Sequence, residues 1–421
     1  MKKVLLILAT AALFATAQSS VKDTVPPAKK WGYKLSGFVS PQLFYDSRQV
    51  VSGREDMMLF YPKPIETDVN GNDLNAVPNL NMLAISTRLA LSFWGPDVLG
   101  AKTSAYIEGD FTGATDASIN LFRLRHGYID MKWHSTELLM GQFWHPMVIH
   151  EVMPGTRPLN MGAPFHPYAR FVQTRLSQRV GPMELLGVAA FQLDNKSAGP
   201  DGGSTKYLKA TTIPELNFQL HYRGERLFLG AAYHLLVIQP RLSVTDSAGH
   251  VFKTGTRVPS HSLTVFGKYE FPHFSLRSQV VWGNNLSSIS MMGGYIESPF
   301  DETTKSYSYQ PFGCTTAWVD FGMNKGKWRP GIFAGYGKNN DFGKTLENGS
   351  QVYGRGLEIE SLWRVQPRIA FYPSEKIGLF FEVEYTNATY GAKELVDNSF
   401  RYVKDHSVAN TRIILQAIYN F

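Results

Sequence analysis

Cysteine is almost absent: Cys314 is the only one in 421 residues. That excludes a disulfide framework and a multi-cysteine zinc site. Charge is also sparse, at 18% of residues, against about a quarter in ordinary soluble domains. The formal net charge of +7 is spread without any Lys/Arg block, which argues against a nucleic-acid binder. Long apolar runs are missing beyond residue 17. The longest are Leu185–Phe191, Leu235–Ile238 and Ile413–Leu415, far short of the ~20 residues that a spanning helix needs. What is plentiful is aromatic: 27 Phe, 20 Tyr and 8 Trp, at a nearly neutral mean hydropathy of −0.18. A soluble enzyme would carry more charge, and a helical membrane protein would be far more apolar.

The chain opens on Met1-Lys2-Lys3, then an apolar run from Val4 to Ala17 ending in Ala15-Thr16-Ala17. A basic start, a short apolar stretch and a small-x-small site form a signal peptide over 1–17, too short for a membrane anchor. Residues 18–32 read as a short tail, with Pro26-Pro27 and Lys29-Lys30. Residues 33–421 read as one domain.

Through that domain the apolar period is two. Leu216, Phe218, Leu220 and Tyr222 alternate with Asn217, Gln219, His221 and Arg223; Ile377, Leu379, Phe381, Val383 and Tyr385 alternate with Glu382 and Glu384. The same holds from Leu83 and Ile85 to Phe93, from Leu357 and Ile359 to Phe371, and from Thr411 to the aromatic Phe421. Alternate side chains of a strand face opposite sides, and these strands are long enough to cross a bilayer on a tilt. Short breaks such as Gly181-Pro182, Pro272-His273 and Pro373-Ser374 alternate with long polar ones, among them Asp46–Asn79, His145–Pro167 and Ala388–Asp405. Short turns on one side and long loops on the other predict an all-β, transmembrane antiparallel barrel of about 16 strands, 14 to 18 by the uncertainty of the breaks. Trp94, Trp133, Trp144, Trp282 and Trp328 suit its interfacial girdles.

The parity opposite the apolar one then lists the pore lining: Arg88, Arg175, Arg179, Arg223, Arg277, Arg364, Arg368 and Arg412, with Glu108, Asp110, Glu358, Glu360, Glu382 and Glu384. Arg123 and Arg125 join if Phe122 and Leu124 face lipid; their strand, Ile119–Trp133, breaks parity midway. A charge on the lipid face would cost ~2–4 kcal/mol near the midplane, so its confinement to one parity supports the barrel. Arg presents a planar fork suited to carboxylate and phosphate. These Arg either pair with the inward acids or stand free to attract anions, and a mixture of both is expected. Loop His145–Pro167, with Met147, Val148, Ile149, Met153 and Met161, fits either a loop folded into the lumen or one packed at a subunit contact. Met57-Met58-Leu59-Phe60-Tyr61 in the first long loop suits a clamp on a neighbouring subunit.

Other constellations carry less. His145, His150, Glu151 and His166 share a loop but no helix aligns them for a metal. His126 could serve a barrel lipase only if it faced lipid beside a serine, and no such serine can be named. No cofactor, no metal and no catalytic residue is implied.

Three stretches carry a family resemblance: Tyr106-Ile107-Glu108-Gly109-Asp110-Phe111, Leu121-Phe122-Arg123-Leu124-Arg125-His126-Gly127-Tyr128 and Gly141-Gln142-Phe143-Trp144. In this order and spacing, with Gly37-Phe38 and Phe44-Tyr45-Asp46, the sequence resembles DcaP-type porins of the bacterial outer membrane. The motifs cover roughly residues 33–225; strand rhythm covers the rest. The resemblance implies trimers of sixteen-stranded barrels whose narrowed, basic pores pass small anionic solutes such as dicarboxylates. It also implies that Arg123, Arg125, Arg175 and Arg179 line the constriction. The Met- and Pro-rich third loop departs from the family and leaves the solute open. The expected function is therefore a passive outer-membrane porin, not an enzyme. Its expected partners are outer-membrane lipid, small anionic solutes, two further copies of itself and the barrel-assembly machinery through Phe421, with no nucleic acid. A plugged barrel used in adhesion or ligand binding is the alternative.

Overall fold

A computed structural model describes residues 31–157, 159, 161–340, 349–396 and 399–421, with backbone only for 392–401. The proposed signal peptide and most of the tail lie outside the described residues. Among the described residues, sixteen strands close into one antiparallel barrel. They are Gly32–Val39 continuing as Gln42–Asp46, Asn79–Leu83 continuing as Arg88–Trp94, Lys102–Asp110, Arg123–Lys132, Thr136–Trp144, Arg170–Val180, Met183–Phe191 and Glu215–Arg223. The circuit goes on through Leu227–Ile238, Val258–Glu270, Phe274–Asn284, Tyr309–Met323, Trp328–Asn339, Ile359–Phe371, Ile377–Val396 and Ser399–Asn420. The last strand pairs with the first, Phe38 opposite Asn420 and Asp46 opposite Arg412. Closure leaves no unpaired edge, the condition for crossing lipid with strands.

The outer wall is apolar. Leu35, Leu89, Ile107, Leu185, Val265, Ile332, Leu379 and Leu415 are all exposed, a surface no soluble monomer keeps. Trp94 and Trp328, near the short turns, and Trp282 and Trp363, nearer the long loops, stand exposed at the margins of this belt. The opposite parity is polar and buried, for example Asn217, Gln219, Thr264, Gln279, Asp320 and Gln366.

Several expectations fail where the backbone departs from simple pleating. Ala388–Asp405 is not a long loop. The last two strands run to Val396 and from Ser399, pairing residue by residue with one bulge at Tyr390/Gly391. Their outer half needs no apolar alternation, because each strand satisfies the other's backbone. In the strand Ile359–Phe371 a register shift between Ile359 and Ser361 leaves Ile359 buried while Trp363 faces out; Glu358, just before it, is exposed. Ile85 lies in the break between two segments of one strand and is also buried. Trp144 belongs to the interior and not to a girdle: Gly141, at φ +134°, switches the parity of its strand, so that Gln142 and Trp144 are buried.

Candidate functional site: the lumen

Loop His145–Pro167 folds into the barrel. Met147, Val148, Ile149, Val152 and Phe165 are buried. Its carbonyls are held by wall side chains: Gln219 Nε2 donates to Pro146 O at 2.6 Å, Gln279 Nε2 to Met147 O at 3.1 Å and Arg277 Nη1 to Met153 O at 3.1 Å. Thr316 Oγ1 donates to Phe165 O and Arg364 Nη1 to Ala163 O, both at 3.0 Å. Arg157 N–H in turn donates to Glu382 Oε2 at 3.1 Å. Ties to five separate strands place this loop across the lumen. Phe165 lies flat on Gly335, where a Cβ would stand 2.7 Å from the ring.

The first long loop also turns inward, which corrects the reading of its Met57–Tyr61 run as a clamp on a neighbour. These five side chains are buried in their own barrel. Phe60 O accepts from Arg364 Nη2 at 3.0 Å and Pro62 O from Tyr390 Oη at 2.7 Å. The residues form a strand, Met58–Pro62, paired with Val50–Gly53, and their apolar side chains face the chain's own lumen.

At the loop's base, His145, Glu215 and His234 place one donor atom each within 4.8 Å of one another. His145 Nε2 and His234 Nε2 lie 3.2 and 3.3 Å from Glu215 Oε2. Met147 N–H donates to His145 Nδ1 at 3.2 Å, so the proton of the neutral ring belongs on Nε2, facing Glu215. The cluster is a hydrogen-bonded tie between loop and wall. Burial pushes His145 down to about 4, against the pull of Glu215.

The predicted arginines all avoid the lipid face, and they divide into groups. Arg125 is the extra residue of a β-bulge: Glu108 pairs with His126 and Gly109 with Leu124. Such a bulge re-aims side chains, which explains the broken parity of this strand. Phe122 and Leu124 are exposed, while Arg125 and His126 are both buried. Arg125 donates to Glu108 at 2.8 Å and to Asp110 at 2.6 Å; Arg123 donates to Asp110 at 2.9 Å and lies 3.7 Å from Asp194. Arg88 is 3.5 Å from Glu108. His126 thus sits inside the barrel, which removes the lipid-facing position that a lipase would need.

Arg223 bridges Glu151 of the loop and Glu184 of the wall at 2.6 and 2.7 Å. Despite burial, that contact holds Glu151 below the usual carboxylate range. Arg368 makes a two-pronged pair with Asp320. Arg175 lies over the Phe143 ring, 5.0 Å from its centroid. Two assignments to the pore lining are corrected. Arg364 and Arg412 face inward but are fully covered, paired with Glu384 and Asp46 at 3.1 and 2.6 Å, because loop and wall close over them. Arg179 stands at the short-turn rim, half exposed, 3.8 Å from Glu184; four residues of strand beyond Arg175 carry it ~13 Å away.

Arg170 and Arg157 escaped the parity rule. Arg170 opens its strand just above the regular alternation, and Arg157 belongs to the loop. Arg170 stacks on Trp144 and Tyr168 and has no carboxylate partner among the described residues. Burial opposes ionisation of Tyr168, but the field of Arg170, Arg125 and Arg123 outweighs it and brings the phenol down to about 7. This part of the lumen is strongly positive. Beside it opens a chamber of about 450 Å³, lined among others by Gln42, Arg88, Tyr106, His126, Trp144 and Thr156.

A closed barrel with an apolar belt, a polar interior and an inward third loop is the fold of outer-membrane porins. Among solved structures, the DcaP outer-membrane channel of Acinetobacter baumannii superposes with a TM-score of 0.63 over 96% of this chain and 100% of its own, at 17% identity. The anion-selective porin of Comamonas acidovorans gives 0.55 over 93% and 100%, at 9%. OmpT of Vibrio cholerae in its trimer form gives 0.53 over 93% and 100%, at 10%. At these identities the likeness is one of fold. Neither a protein-family model nor a curated protein sequence matches the chain.

Proposed function

We propose that the chain is an outer-membrane porin through which small hydrophilic anions diffuse, narrowed by the inward loop and biased by uncompensated arginine charge. The observation that carries this reading is the positive cluster beside the loop. Arg88, Arg123, Arg125 and Arg170 outnumber Glu108, Asp110 and Asp194, and the field of Arg170, Arg125 and Arg123 acidifies Tyr168. Fixed positive charge in a low-dielectric lumen concentrates anions. The anion-selective porin from Comamonas acidovorans, of the same fold, makes anion preference a natural use of this scaffold. By the same analogy with the trimeric OmpT form, the functional unit is a homotrimer, and Phe421 addresses the chain to barrel assembly. Reconstitution in planar bilayers tests the reading: discrete channels with a reversal potential favouring anions support it, and cation selectivity overturns it.

The buried apolar packing of Met57, Met147 and Phe165 against the wall favours a second reading, a plugged barrel that binds a ligand without passing it. Liposome swelling separates the two, since only a porin admits small sugars or amino acids.

A further inference from the structure

The chamber beside the loop collects buried polar atoms left unsatisfied or loosely held among the described residues. Gln42 Nε2, His126 Nδ1 and Thr156 Oγ1 have no hydrogen-bond partner among the described residues, Arg88 Nε has only its 3.5 Å ion-pair contact with Glu108, and all four residues line the same space. Gln42 is 1% exposed and His126 5%. Buried polar groups are normally paired, and three orphans beside one loosely held guanidinium around a single cavity point to something that occupies it. All four groups can donate: an amide N–H, a guanidinium N–H, an imidazole N–H and a hydroxyl. A ligand bearing accepting oxygens fits them.

The rest of the wall is aromatic. Tyr106 and Tyr128 rings lie 5.6 Å apart, His126 lies 5.3 Å from both Phe143 and Trp144, and Trp144 lies 5.6 Å from Tyr168. Offset and edge contacts at such distances favour a further flat ring. The chamber's donors are met by a single carboxylate. Arg125 is already held by Glu108 and Asp110, and Glu108 also accepts from Tyr106 Oη at 2.8 Å. Glu108 itself lines the chamber and would repel a second carboxylate.

We infer that this chamber is a saturable binding site for a monocarboxylate carried on an aromatic ring, with Arg88 and Gln42 setting its specificity. Arg88 and Gln42 donate to the carboxylate, His126 and Thr156 supply further donors, and the ring packs among Tyr106, Tyr128 and Trp144. This deepens the porin reading by naming a class of solute that pauses in the pore. The chamber volume falls in the range of small-molecule sites, about 300–1,000 Å³.

The test adds benzoate, cyclohexanecarboxylate or acetate to reconstituted channels at constant ionic strength. Benzoate is expected to reduce the chloride current saturably, at concentrations about tenfold below those of the other two, from its ring contacts. Arg88→Gln and Gln42→Leu are each expected to raise the half-blocking concentration about tenfold, the loss of one hydrogen bond to a charged group. Equal effects of benzoate and acetate, or an unchanged midpoint in both variants, overturn the inference and leave a merely water-filled chamber. Calorimetric titration of the detergent-solubilised protein with benzoate reads the same site without current. A barrel that forms no channels yet binds benzoate overturns only the porin reading.

Discussion

Arg125 is the unpaired residue of a bulge facing Glu108, and its Nε donates to Glu108 Oε1 at 2.8 Å. The bulge delivers a fully buried guanidinium to two carboxylates on the neighbouring strand. Replacing one member of such a buried pair leaves uncompensated charge, at a typical cost of about 3–5 kcal/mol. Arg125→Met is therefore expected to lower the denaturant midpoint of unfolding in detergent micelles markedly. Adding Glu108→Gln and Asp110→Asn is expected to restore much of it. If the single variant is as stable as wild type, the pair does not hold this wall.

Gly335→Val puts branched carbons where the Phe165 ring now lies. The wall strand is fixed by its ladder, so the loop must yield. Single-channel conductance is expected to rise, while heat resistance of the folded barrel on electrophoresis changes little. An unaltered conductance would show that this part of the loop does not limit flow.

His145 gives a pH dependence whose sign follows from its depressed basicity. Its ordinary value is 6.5, and in the fold it falls to about 4. Unfolded chains take up the proton first, so the stabilisation is complete above pH 6.5 and is lost as pH falls from 6.5 through 4. Hydrogen exchange in residues 146–157 is expected to quicken over that window. In His145→Gln the change should flatten.

Tyr168 carries a pH dependence of the same sign, although here the fold favours the charged form. Its phenol ionises near 7 in the fold against an ordinary 10. The stabilisation is full above pH 10 and is lost as pH falls through about 7. A tyrosinate absorbance step of one residue is expected near neutral pH. Its persistence in Tyr168→Phe would assign it elsewhere.

Much of the wall was legible in the sequence, because the bilayer forces a period of two on every crossing strand. Tyr222 and Arg223, or Phe381 and Glu382, declare their faces by chemistry alone. What escaped detection lies where pleating is interrupted. The bulge at Arg125 turns two consecutive residues, Arg125 and His126, inward, and no alternation rule finds that. Gly141 flips Trp144 in the same way. The upper parts of the last hairpin were illegible for another reason: paired strands outside the bilayer need no apolar face. The apolar Met57–Tyr61 run suggests a clamp on a neighbouring subunit, but these side chains are buried in their own barrel, because an apolar run in sequence marks a covered surface without naming what covers it. Among the arginines, parity found the inward direction, while partners such as Asp46 for Arg412 depend on the barrel's closure.

That closure has a consequence for how the molecule comes into being. The bonds that join Gln42–Asp46 to Arg412–Gln416, with the Asp46–Arg412 pair among them, link segments more than three hundred residues apart in sequence. Contacts of such separation form late, because every intervening hairpin shortens the search for them. Until they form, the sheet has two free margins able to recruit any passing strand. The seam between the first and last strands is thus the final stitch, and the interval before it is drawn is when the chain is most exposed to mispairing.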